Sequence, residues 1–208
     1  MARTTTAQCR LCRREGEKLF LKGQRCETVK CSLNKKRYPP GAHIWGRRKQ
    51  SKYGSQFREK QKVKRFYGVL EKQFNIYFKK ATSKKINTGE FLLQLLERRL
   101  DNVVYHSLLS HSRKHARQLI GHGHILVNDK KVDIASFLVK PGDVIKSKSK
   151  ESLNNLISTT IETNSSRKVP QWIEVDKDNR SGRVIQLPAR EDVSLDVQEQ
   201  LIVEVCSR

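Results

Sequence analysis

The sequence is short of apolar residues and of negative charge, and both shortages exclude something. Hydrophobic residues make up 36% of the 208 positions, below the roughly 45–50% of typical globular chains, a range that also counts glycine. The expected core is therefore modest. No stretch approaches the roughly 18 consecutive apolar residues of a membrane-spanning helix, which excludes an integral membrane protein built on one. The opening residues, through Cys9, contain no apolar run, so no secretory leader is expected. No repeat of roughly 20–50 residues is visible, and no solenoid is expected. The length suits one or two small domains.

Acidic residues number 21 against 43 Lys plus Arg, giving a net charge of +22. The excess is uneven. Residues 1–50 carry +11, residues 51–100 carry +9, residues 101–150 carry +5 and residues 151–208 carry −3. Charge of this density repels itself unless a polyanion neutralises it, and nucleic acid is the expected polyanion. An anionic membrane surface is the rival, but the basic half lacks a long helix with Leu and Phe opposite Lys.

Four of the five cysteines fall early, as Cys9, Cys12, Cys26 and Cys31, with C-x2-C and C-x4-C spacing. Two close thiol pairs joined by a short loop suit a tetrahedral ion with four protein ligands, normally zinc, leaving no open position for catalysis. An iron–sulfur cluster also takes four cysteines, and a disulfide or free thiols are the bland alternatives. Basic neighbours (Arg10, Arg13, Arg14, Arg25, Lys30) are expected to lower the thiol pKa values. Cys206 stands alone and reads as a small buried residue.

Lys35–Gly41, with Pro39 and Pro40, closes this module in extended backbone. Residues 42–55 are basic and aromatic with little periodicity; they read as a phosphate-binding arm with Trp45 and Tyr53 as stacking faces, or as a solvated loop. From Gln56 to Ala81 the apolar spacing predicts one helix, its lysines and Arg65 on other faces. A second helix is predicted over about 90–109. A third is capped by Ser112 and ended by Gly121, and places Arg113, Lys114, Arg117 and Gln118 together on its outer side. Ile125–Val127 and Lys131–Val132 flank a tight turn at Asn128–Asp129. A weak helical stretch surrounds Leu153, and apolar alternation continues to Cys206.

Together these blocks resemble the bacterial-type small-subunit ribosomal protein S-four family. The resemblance is carried by Cys9-Arg-Leu-Cys12, Tyr38-Pro-Pro-Gly41, Tyr53-Gly54, Arg58-Glu-Lys-Gln-Lys62, Arg99-Leu-Asp-Asn-Val-Val-Tyr105, Ser112-Arg113, Ala116-Arg-Gln-Leu119, Lys140-Pro-Gly-Asp143 and Leu201-Ile-Val-Glu204. It implies an α+β fold: a mainly helical discontinuous domain (47–90 plus 170–208) carrying an inserted small α/β RNA-binding domain (91–169). An N-terminal four-cysteine metal module and basic arm (1–46) precede them. It implies a cytoplasmic, non-enzymatic component of the small subunit, monomeric within the ribosome. Such a protein binds small-subunit ribosomal RNA and nucleates assembly of the subunit body. It further implies contact with messenger RNA near the entry channel, contact with the fifth small-subunit protein, and a role in translational accuracy.

The RNA-contacting residues so implied are Arg3, Arg10, Arg13, Arg14, Arg47, Arg48, Lys49, Tyr53, Arg99, Ser112, Arg113, Lys114, Arg117, Gln118, His122 and His124. Asp129 stands where relatives keep Gly, so a hairpin of another type, or a strained one, is expected. His115 replaces the acid or amide that completes a capping box. Histidines 106, 111, 115, 122 and 124 are read as surface groups near phosphate, because no carboxylate or nucleophile accompanies them at a motif spacing. An RNA-modifying enzyme built on the same binding domain would need a catalytic domain of roughly 100–200 residues, for which the chain has no room. A zinc-containing DNA regulator would need a major-groove recognition helix, and none is identifiable.

Overall fold

The structure is a computed structural model and describes residues 5–41 and 51–207. The chain forms two compact units, Leu93–Ser194 and the residues on either side of it.

In the flanking unit, helix α1 (Gln8–Glu15) ends where Gly16 turns left-handed, φ 78°, and its N–H reaches Cys12 O. A single 3-10 turn (Gly23–Cys26) and helix α2 (Ser32–Lys35) follow. Helix α3 (Lys52–Phe66) starts at Ser51, whose hydroxyl accepts from Gly54 N at 3.1 Å, satisfying one donor of the first turn. The single helix expected over 56–81 is two. Gly68, at φ 62°, lets Gly68 N return to Arg65 O and Val69 N to Lys64 O, the paired bonds of a Schellman stop. Helix α4 (Glu71–Thr82) then restarts the apolar stripe, with Phe74, Tyr77 and Phe78 buried.

Helix α5 (Thr88–Glu97) carries the division between units. The last helix among the described residues, α9 (Glu199–Cys206), packs along α3. There the fully buried Gln56 amide donates to the Glu204 carboxylate, and Gln198 N donates to Glu59. The acidic tail thus meets the basic helix of its own unit.

In the Leu93–Ser194 unit, the expected helix over 90–109 is also broken. Arg99 is extended and bridges Leu138. Helix α6 (Leu100–His106) then begins with Leu100 N and Asp101 N bound to the carbonyls of Phe137 and Ala135. A crossing loop therefore satisfies donors that a continuous helix would have satisfied internally. Helix α7 (Arg113–Gly121) is capped by Ser112, which accepts from His115 N. Its stop is Gly123 and not Gly121. Gly123 has φ 71°, and the bonds Gly123 N→Ile120 O and His124 N→Leu119 O close the helix.

Strands β1 (Ile125–Val127), β2 (Lys130–Lys131), β3 (Val144–Ser147), β4 (Ile173–Asp176) and β5 (Ser181–Val184) form one antiparallel sheet, ordered β2-β1-β3-β5-β4. Helix α8 (Glu151–Thr163) lies between β3 and β4 in sequence. Because β5 pairs with β3, residues 170–194 join this unit; the expected division at 169 instead falls after Ser194. The β1–β2 turn keeps the two-residue I′ form, with Asn128 and Asp129 both at positive φ (49° and 63°). Asp tolerates that region better than other non-glycine residues, so Asp129 changes the residue but not the turn type. The core joins Leu100, Val103, Ile120, Ile125, Val139, Ile145, Ile157 and the fully buried Trp172. Residues 199–206, an apolar alternation in the sequence, form helix α9 (Glu199–Cys206).

Candidate nucleic-acid interface

Five arginines expected on the RNA side, Arg13, Arg14, Arg99, Arg113 and Arg117, are instead committed to the protein's interior or to its own backbone. Asp101, 1% exposed, accepts a bidentate pair from Arg99 at 3.1 and 2.9 Å and a third bond from Arg117 Nε at 2.5 Å. Arg99 is buried, and Arg117 keeps only 16% side-chain exposure. Arg113 is buried too: its Nε donates to Asn102 Oδ1 at 2.7 Å, and its guanidinium lies over the Tyr105 ring at 4.5 Å. The sequence reading placed Arg113 outward with Lys114, Arg117 and Gln118. It is turned in because Asn102, one turn into α6, offers an acceptor where α7 packs on it.

The buried network continues. Asn102 donates to the Glu97 carboxylate, Glu97 lies 3.5 Å from His106 Nε2, and Arg167 lies over the Tyr105 ring at 4.4 Å while donating to Ser110 O and His111 O. Glu97, Asp101, Asn102 and Arg167 carried no site signal in the sequence, since carboxylates inside a helical stretch usually face water. His106, read as a surface group, is buried.

Outward groups on this unit include Lys114 and Gln118 on α7 and His122 just after it, with Lys130, Lys131, Lys148 and Lys150 on the sheet side and Lys140, Lys168, Lys177 and Arg183 elsewhere. One corner is the densest. A Cβ added to Gly123 would sit 2.3 Å from Lys131 Cε, so the lysine stem lies directly over that glycine. Lys148 N donates to His124 O. The His124 pKa is lowered, chiefly by burial and then by His122, Lys150 and Lys148. Five cationic or titratable groups thus converge on one helix end. Lys131, Lys148 and Lys150 were missed from sequence, although the alternation Lys146-Ser-Lys-Ser-Lys150 puts three lysines along and beyond β3.

His111 and His115 stack, ring centres 5.7 Å apart and 17° from parallel, with His111 Nε2 3.1 Å from Thr160 Oγ1. His115 therefore completes no capping box. Both imidazoles are held below the ordinary 6.5, first by burial, then by Arg167 for His111 and by His111 for His115. The unfolded chain then takes up protons that the folded one refuses, so stability falls as pH drops through and below about 6.5. The expected result is an unfolding temperature lower at pH 5.5 than at 7.5, with a smaller difference in His115→Gln. An equal difference in wild type and variant would refute the assignment.

In the flanking unit, Arg10 is exposed. Arg13 donates to Tyr38 O and Pro39 O and covers the Tyr38 ring at 4.8 Å; Arg14 donates to Pro40 O. These arginines tie α1 to the proline segment. The cations of α3 are largely spent internally as well. Lys62 bridges Glu17 and Glu59, Lys60 and Lys64 share Glu71, and Arg65 and Arg58 share Glu15, whose side chain is 2% exposed. Burial holds the Glu15 carboxyl above its usual value, against the pull of Arg65, Arg58 and Arg14. Tyr53 is exposed on α3. Arg3, Arg47, Arg48 and Lys49 lie outside the described residues, as does Trp45.

The cysteines are all free thiols; Cys12, Cys26 and Cys31 are buried, and Cys9 is half-buried. Leu19 gives the Cys12 sulfur a backbone hydrogen bond, and Lys22 N reaches Cys26 Sγ at 3.4 Å. Cys9, Cys26 and Cys31 all act electrostatically on Cys12. The expected lowering of thiol pKa is not found for Cys12 and Cys26, which are pushed up, chiefly by burial. Desolvation outweighs basic neighbours that point elsewhere, as Arg13 and Arg14 do. Among the described residues, no three His, Cys, Asp or Glu side chains already form a metal-holding group. The donor set itself, four free sulfurs in one neighbourhood with amide hydrogen bonds to two of them, fits a thiophilic ion.

Two family models match this chain: a ribosomal protein S4/S9 N-terminal domain over residues 3–97 and an S4 domain over residues 98–145. The chain is similar over its whole length to small ribosomal subunit proteins uS4, with full coverage of each relative. Identity is 54% with that of Acetivibrio thermocellus, 55% with that of Thermoanaerobacter sp. (strain X514) and 52% with that of Thermodesulfovibrio yellowstonii.

Proposed function

This chain belongs to the uS4 family of small ribosomal subunit proteins, and from that membership we propose that it is a structural, non-enzymatic, ribosomal-RNA-binding component of the cytoplasmic small subunit. The observation that carries the mechanism is the cationic corner of His122, His124, Lys131, Lys148 and Lys150 on a unit whose Arg99, Arg113 and Arg117 are held by Asp101 and Asn102. Locked arginines hold α6, α7 and the sheet in one arrangement. Outward lysines then displace counterions along folded RNA, reading shape and phosphate more than base edges. Lys114 and Gln118 extend this surface directly, whereas Arg99 and Arg113 act through packing; Arg10 is exposed on the flanking unit.

Within the same reading, the protein acts as a monomer in the ribosome and binds early, nucleating the subunit body. It meets messenger RNA near its entry through Arg47, Arg48 and Lys49, touches the fifth small-subunit protein, and influences accuracy. Co-sedimentation with small ribosomal subunits after a high-salt wash tests this; recovery of the protein wholly in the soluble fraction overturns it.

Cys9, Cys12, Cys26 and Cys31 would hold one structural ion, zinc in preference to an iron–sulfur cluster. The ion would supply the positive charge that makes buried thiolates stable and would link α1 to the Cys26–Cys31 segment. Cys9→Ser is expected to lose stoichiometric metal and to loosen residues 5–41, read as faster amide exchange there, with the Leu93–Ser194 unit unaffected. Elemental analysis that finds no metal in native protein would defeat the proposal.

A further inference from the structure

Five described aromatic side chains of the flanking unit are buried, Phe66, Tyr67, Phe74, Tyr77 and Phe78. Two in the first turns of α3 are not. Tyr53 is 53% exposed and Phe57 38% exposed. As an i, i+4 pair they stack on one another, centroids 6.0 Å apart and planes 21° from parallel, lying off the helix face that buries Gln56, Val63 and Phe66. The Arg58 guanidinium lies over the Phe57 ring at 5.5 Å, and Lys52 is exposed one residue before Tyr53. Two near-parallel rings held in register by a helix, left in solvent and bordered by cations, cost hydrophobic free energy unless a flat partner covers them. A flat, π-faced group attached to a polyanion meets both features at once, satisfying the rings with its face and the cations with its phosphate.

Building on the ribosomal-RNA reading above, we infer that Tyr53 and Phe57 form a stacking platform for an unpaired nucleobase of the bound RNA, with Lys52 flanking its phosphate. The platform takes any base, since every base presents a π-face. It acts separately from the cationic corner of the other unit, and its contribution to affinity does not depend on counterion release.

The test is binding of the full chain to small-subunit ribosomal RNA across a salt series. The double variant Tyr53→Leu, Phe57→Leu keeps apolar bulk and removes both π-faces; its affinity is expected to fall about tenfold or more, with the slope against salt unchanged. Tyr53→Phe keeps the stack and is expected to bind within about twofold of wild type, since a ring face is retained. Equal affinity for wild type and the double variant overturns the platform while leaving the ribosomal reading intact. A lowered unfolding temperature with affinity retained assigns the rings to packing and overturns it too. Absence of RNA binding by the wild-type chain refutes both readings.

Discussion

Asp101→Ala is expected to destabilise the Leu93–Ser194 unit by roughly 3–5 kcal/mol, the cost of leaving buried charge without its partner. The carboxylate is 1% exposed and is the shared acceptor for Arg99 and Arg117. Removing it leaves the Arg99 guanidinium, 5% exposed as a side chain, with neither its counter-charge nor water. Arg117 sits on α7 and Arg99 before α6, so the loss also unpins two helices from each other. The measurement is urea unfolding, or thermal unfolding followed as a midpoint lowered by on the order of 15 °C. Glu71→Ala is the control: its side chain is 46% exposed, against 1% for Asp101, and its loss should cost about 0–1 kcal/mol. Comparable losses in the two variants would mean that burial does not set the value of the Asp101 cluster.

Affinity for small-subunit ribosomal RNA is expected to fall roughly 10³- to 10⁵-fold between about 50 and 200 mM salt, the range for some 6–10 neutralised phosphates. Lys131→Ala with Lys148→Ala and Lys150→Ala should reduce the slope of log affinity against log salt by about one per lysine, without changing unfolding. A shallow slope, or equal affinity for duplex DNA, would refute a backbone-dominated, shape-selective clamp. Arg117→Glu gives a contrasting signature. Because Arg117 is paired with Asp101, the substitution should lower stability before it lowers RNA affinity.

Much of this molecule was legible from periodicity and composition. Ser112 announced a helix start, Asn128–Asp129 a two-residue turn, and the family blocks an S4 domain, matched over residues 98–145. The helix breaks were less so. Gly68 sits within an apolar stripe that runs on beyond it, and the stripe alone reads as one helix. At Arg99 no glycine or proline marks the break; carbonyls of Ala135 and Phe137, some 35 residues away, replace the helical acceptors. Strands β4 and β5 were unassigned because β5 pairs with a partner from before α8, a contact with no local signal. The stop expected at Gly121 falls instead at Gly123, which takes the left-handed conformation.

The sequence by itself determined the net charge of +22, its concentration in residues 1–150, the paired cysteines and the family. These depend only on which residues occur and at what spacing. Only the tertiary structure decided which cations face outward. Arginine is long enough to point either way from a helix, and its direction is set by an acceptor supplied from another element: Asp101 for Arg117, Asn102 for Arg113, Glu15 for Arg65. The same charge that marks the chain as a polyanion binder is thus divided by its fold into cations that hold the protein together and cations left for RNA.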